Sequence, residues 1–146
     1  MSEPQVAAQR LAGTALAPAG SRLVLAEWTA QGAVGEEPLY QAPLHAHPED
    51  EAWYVLEGTL RHTVGTETKD LKPGDCRATP RGVAHGFSNP HSVTARALVI
   101  LSPDTIGARY FHDVGAIVNA GGPPDRQKLL AVMAGYGLKP EAAPAS

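Results

Sequence analysis

Between Ser21 and Ser102 short apolar or alternating runs recur, each cut off by Gly or Pro at turn-like spacing. A half-buried strand changes face at every residue, and tight reversals favour Gly and Pro, so this rhythm predicts a multi-stranded antiparallel fold. The predicted strands are Leu23–Trp28, Leu39–Gln41, Leu44–His47, Ala52–Leu56, Thr59–Val64, Cys76–Thr79, Val83–Ser88 and Ala95–Leu101. Turns fall at Leu56-Glu57-Gly58 and Lys72-Pro73-Gly74-Asp75, where Gly can take positive φ and Pro73 suits the preceding turn position.

Past Pro103 the period lengthens. Ile106, Tyr110, Val114 and Ile117 share one helical face, and Gly121-Gly122 ends that helix. Pro123-Pro124-Asp125 opens a second, with Leu129, Leu130, Met133 and Tyr136 as its apolar side. Residues 1–20, rich in Ala, Pro and Gly, read as an arm that orders only by docking, and residues 139–146 as a flexible tail. The expected organisation is an arm over 1–20, a β core over 21–102, helices over 103–138 and the tail.

Composition narrows the partners. The 146 residues suffice for one ordinary domain that buries about two-thirds of its unfolded surface. With Lys+Arg 12 against Asp+Glu 15, there is no basic patch for nucleic acid and no polybasic stretch for an anionic membrane. A small molecule is the expected partner. Cys76 is the single cysteine, which excludes an intrachain disulfide and fits a reducing compartment. The N-terminus lacks the order of a secretory signal and no apolar run reaches membrane-span length, so a cytoplasmic location is expected.

The candidate chemistry lies in two short runs. The first is His45-x-His47, three residues, Glu51, six residues, Gly58; the second is Gly74, Pro80, Gly82, His85 and Asn89. Alternation along a strand points His45 and His47 the same way, and Glu51 returns to that face if Pro48-Glu49-Asp50 keeps the parity. His85, from a neighbouring hairpin, can close the site from the other side. Three imidazoles and one carboxylate suit Fe, Ni, Mn, Co, Cu or Zn, and four protein ligands on a six-coordinate ion leave two positions for small molecules. By the same parity Trp53 and Val55 share the face of Glu51, while Val83 and Phe87 share that of His85, forming an apolar wall. His62 is placed to face inward between Leu60 and Val64 as an acid or base, whereas His91 and His112 read as surface positions.

Both runs resemble the paired motifs of the cupin superfamily, over roughly residues 21–102. The second motif matches at Gly74, Pro80, Gly82, His85 and Asn89. The first matches at His45, His47, Glu51 and Gly58, but Leu39 stands where the family has a leading Gly. The resemblance implies an all-β, cupin-type antiparallel jelly-roll barrel, here with a short C-terminal helical extension, and a divalent transition metal inside one end. It also implies frequent dimerisation, so a homodimer is expected. Among small cupins the chain looks most like the quercetin-dioxygenase-like members, in which a flavonol-type hydroxyl meets the metal and the glutamate, here Glu51, takes its proton. It is similar also to cupin-type polyketide cyclases, which would polarise a carbonyl without dioxygen, with keto-compound isomerisation a near neighbour. A non-catalytic small-molecule-binding cupin is the third expectation.

Overall fold

The computed structural model describes residues 11–16, 20, 22–35, 38, 39, 41–103 and 108–140. In chain order its elements are β1 (Leu11–Leu16), β2 (Val24–Ala30), β3 (His45–Ala46), β4 (Asp50–Glu57), β5 (Leu60–Val64), β6 (Glu67–Leu71), β7 (Cys76–Thr79), β8 (His85–Ser88), β9 (Ala95–Ser102), α1 (Ala108–Val118), α2 (Arg126–Gly135) and β10 (Lys139–Pro140). The strands form two antiparallel five-stranded sheets, ordered β1-β2-β9-β4-β7 and β10-β3-β8-β5-β6. This is the mostly-β, two-sheet jelly roll with helices confined to the C-terminal end.

Alternation decides which side chains meet between the sheets. In β2 every second residue is buried, which sends Val24, Ala26, Trp28 and Ala30 inward. β9 answers with Ala95, Ala97, Val99 and Leu101, and β4 with Trp53 and Val55. Bulk is paired with smallness: Ala97 lies opposite both Trp28 and Val55 in register. Each fully buried Val or Leu contributes about 1.5–3 kcal/mol, so this interior carries the barrel. The second sheet turns Leu60, His62 and Leu71 inward and leaves Arg61 outside, paired with Asp70 at 2.9 Å.

The helices pack against β1 and β10, the outermost strands of the two sheets. α1 lies against β1, with Phe111 edge-on to Trp28 at 5.0 Å between ring centroids. Asp125 caps α2 by accepting from Lys128 N at 3.1 Å, and Leu129 and Met133 are buried beneath it. Tyr136 donates its hydroxyl to Asp113 at 2.7 Å and so ties the two helices together.

Several expectations need correction. β1 falls within the segment read as an arm and pairs along its length with β2, while residues 1–10 lie outside those described. Of the run Leu39–Gln41, Gln41 makes an isolated bridge to Ser88 and Leu39 is in no strand, while Tyr40 lies outside the described residues. β6 was not expected, because Glu67 to Asp70 are all polar and exposed and show no alternation of apolar residues. Lys139 and Pro140, assigned to the tail, pair with β3, and β8 begins at His85 rather than Val83. Ile106 and residues 141–146 lie outside the described residues.

The turn glycines Gly58 and Gly74 take φ of +68° and +89°. At Gly58 a Cβ would also meet the carbonyl oxygen of Thr94 at 2.5 Å. Gly58→Ala is therefore expected to cost roughly 2–4 kcal/mol, combining left-handed strain with overpacking. Urea unfolding would measure it, and a midpoint unchanged from wild type would contradict the close approach.

Candidate metal centre

The site is assembled where the two motif segments meet inside the barrel. His45 on β3 and His85 on β8 are directly opposite each other in an antiparallel pair, which stands their side chains side by side. Beyond β3 burial alternates: His47, Glu49 and Glu51 are buried while Pro48 and Asp50 are exposed. Asp50 pairs outward with Arg81 at 2.9 Å, and Gly82 N donates to His47 O at 2.9 Å, fastening the first segment to the second.

The imidazoles of His45, His47 and His85 each offer a nitrogen, and these nitrogens lie within 4.8 Å of one another in a buried group that could hold a metal ion. Glu51 Oε2 lies 3.0 Å from His47 Nε2 and 2.6 Å from His85 Nε2, the second contact being close without hydrogen-bond alignment. The other carboxylate oxygen is taken: Trp53 Nε1 donates to Glu51 Oε1 at 2.7 Å. Oε2 alone thus faces the histidines.

The remaining ring nitrogens set the tautomers. Nδ1 of His45 donates to Pro43 O at 2.6 Å, and Nδ1 of His85 donates to Val83 O at 2.9 Å. A carbonyl can only accept, so in the neutral rings the lone pair sits on Nε2, the atom a metal needs. His47 Nδ1 faces a different group, Oε2 of Glu49 at 3.0 Å.

Electrostatics follow from burial and contact. Burial pushes the His45 imidazole down to about 4, and His85 beside it adds to the fall. For His85 burial acts in the same direction, but the Glu51 carboxylate outweighs it and the pKa rises. Burial would raise Glu51, yet the imidazoles of His47 and His85 hold it well below the usual carboxylate range.

The predicted wall is placed unevenly. Trp53 and Val55 are buried, and the Trp53 ring lies 4.6 Å from that of Phe87. Trp53 is thus not only wall but the donor that orients Glu51. Val83 is half-buried, precedes β8 and lies outside the buried core, and its carbonyl accepts from His85 Nδ1. His62 is fully buried, with Nε2 3.5 Å from Thr79 Oγ1 and no partner for Nδ1 among the described residues, and burial lowers it to about 4. His91 pairs with Asp70 at 3.2 Å on the surface, and the His112 side chain is 83% exposed.

Sequence reading missed Glu49, the two backbone acceptors and the Trp53 indole N–H. For Glu49 a signal existed, since it has the parity of His47 and Glu51. Carbonyl acceptors carry no such mark.

Residues 36–101 match the Cupin domain family. An uncharacterized protein of Streptomyces coelicolor is 40% identical over 57 residues, which is 39% of this chain and only about half (53%) of that relative's length. An RmlC-like cupin from Shewanella frigidimarina superposes with a TM-score of 0.54 at 25% identity, covering 65% of this chain and 78% of that one. The DMSP lyase DddQ from Ruegeria pomeroyi shares the fold with a TM-score of 0.55 at 24% identity, over 68% of this chain and 50% of that one. Proteins of this fold thus include enzymes. The buried histidine group lies within the stretch that matches the Cupin domain family, and the two-sheet fold is shared with the RmlC-like cupin.

Proposed function

We propose that this protein is a metal-dependent enzyme acting on an enolic or phenolic small molecule, with dioxygen as co-substrate. The observation that carries the reading is the convergence of three imidazoles and Glu51 Oε2 next to the Trp53–Phe87 aromatic pair. Nitrogen from neutral histidines with one carboxylate oxygen fits a divalent Fe, Ni, Mn, Co, Cu or Zn ion, and four protein donors on a six-coordinate ion leave room for small ligands. Bound there, the ion would supply Lewis acidity toward an enolic oxygen and, if redox-active, electron exchange with dioxygen.

The chain's own residues do the rest. His45 and His85 are pre-oriented by Pro43 O and Val83 O, so their Nε2 atoms need no reorganisation. Released from the ion, Glu51 would take the substrate proton on Oε2, because Trp53 holds Oε1. A carboxylate is a weak base, which suits the acidic hydroxyl of an enol or phenol better than an alcohol or a C–H bond. Trp53 and Phe87 keep water from that transfer.

Oxygen uptake with flavonols and 1,3-dicarbonyl enols, across Fe, Ni, Mn and Co reconstitutions, tests the proposal. Glu51→Gln retains an oxygen donor but loses the base, so a drop of about 10²–10⁴ in rate is expected with metal still bound. Wild-type protein that consumes no oxygen under any of these ions overturns the oxygenase reading. Anaerobic consumption of substrate would instead indicate cyclisation or isomerisation, and stoichiometric binding without turnover a carrier.

A further inference from the structure

We propose that Glu49 is a second carboxylate of the same centre, one that does not touch the ion but orients His47 and balances the ion's charge. The inference rests on the reading of His45, His47, Glu51 and His85 as ligands. The Glu49 side chain has no solvent exposure, and its Oε2 lies 3.0 Å from His47 Nδ1. Neither of its oxygens has an aligned hydrogen-bond partner among the described residues. Its neighbours Pro48 and Asp50 both face solvent, and Asp50 has Arg81.

An isolated carboxylate taken out of water is among the most costly groups to bury, and it persists where an opposite charge compensates it. Glu49 has His47 beside it, and a cation on the far side of that ring would be its compensation. The three imidazoles then differ. His45 and His85 donate to neutral carbonyls, which fix the tautomer only, whereas a carboxylate behind His47 also makes that ring a stronger donor. Counting charge leads to the same place. Three neutral imidazoles with Glu49 and Glu51 carry two negative charges, which one divalent ion neutralises.

The test compares wild type with Glu49→Gln, a near-isostere without the charge, in metal-free and cobalt-loaded forms. Chelator competition is expected to show cobalt held about 10–100-fold more weakly by the variant. The metal-free variant is expected to melt no lower than metal-free wild type, because the uncompensated buried charge has gone. A carboxylate with a purely structural role predicts the opposite pair, a lower metal-free melting temperature with unchanged cobalt affinity, and that pair overturns the proposal. Wild-type protein that binds no cobalt overturns the ligand reading itself, an outcome distinct from equal binding by both proteins, which overturns only the role of Glu49. Should Glu49→Gln not fold, nitrogen-15 histidine spectra of zinc-loaded wild type decide: the His47 Nδ1–H proton is expected downfield of those of His45 and His85. Three equivalent shifts would refute it.

Discussion

His85→Ala is expected to leave the protein without metal, its content falling from near one equivalent to near none after gel filtration of a reconstituted sample. The substitution removes one of three clustered imidazoles and the group nearest Glu51 Oε2. Loss of a partner behind a ligand already costs about 10–100-fold in affinity, so loss of the ligand should exceed 100-fold, or about 2.7 kcal/mol. Stability follows by mass action. An ion present at about 1,000 times its dissociation constant adds about 4 kcal/mol to the folded state, and a chelator should remove that increment from wild type but find nothing to remove from the variant. His91→Ala and His112→Ala serve as controls, since one pairs on the surface and the other is exposed. A His85→Ala protein that retained full metal content would place the ion elsewhere.

The second large effect is a loss of stability in mild acid caused by His62. Burial holds its imidazole at about 4 in the folded protein against 6.5 for the free side chain. Between those values the unfolded chain binds a proton that the folded chain refuses, so stability rises with pH across the window and falls as pH drops from 6.5 to about 4. At about 1.36 kcal/mol per unit, the contribution is about 3 kcal/mol, complete below pH 4. His45 acts in the same direction and window while metal-free. Glu51, whose pKa is depressed, stabilises the fold above its unfolded value and loses that as pH falls further. His85 runs the other way: its raised pKa gives stability that is present below 6.5 and lost as pH rises through the folded value. The difference between wild type and His62→Leu isolates one group. Denaturant unfolding from pH 7 to pH 4 should show the variant losing about 3 kcal/mol less, and parallel curves would mean that His62 is solvated and titrates normally.

Legibility varied with the kind of information each feature needed. The strands β2, β4 and β9 were readable because each presents one apolar face to the interior, and alternation is a local property. β6 was not, since Glu67, Thr68, Lys69 and Asp70 all face solvent and their pairing with β5 is the only thing that makes them a strand. β1 was hidden for a related reason: Leu11–Leu16 has weak patterning and is held in register by β2. In the site, the donor residues could be named from spacing, whereas the carbonyl of Val83, which accepts from His85 Nδ1 just before β8, could not. The indole of Trp53 was read as apolar surface, although its N–H, two residues from Glu51 on the same face, is what fixes the carboxylate.

By itself the chain's order of residues determined the alternating faces, the turn glycines and the supply of imidazole and carboxylate at strand-compatible intervals. The tertiary structure alone decided which acceptor stands behind each imidazole, that Glu51 presents a single oxygen, and that Glu49 is shut away from water beside His47. The physical reason is range. Periodicity records only whether a side chain meets solvent or interior, whereas a hydrogen-bond partner or an excluded water depends on segments far apart in sequence meeting at a fixed register.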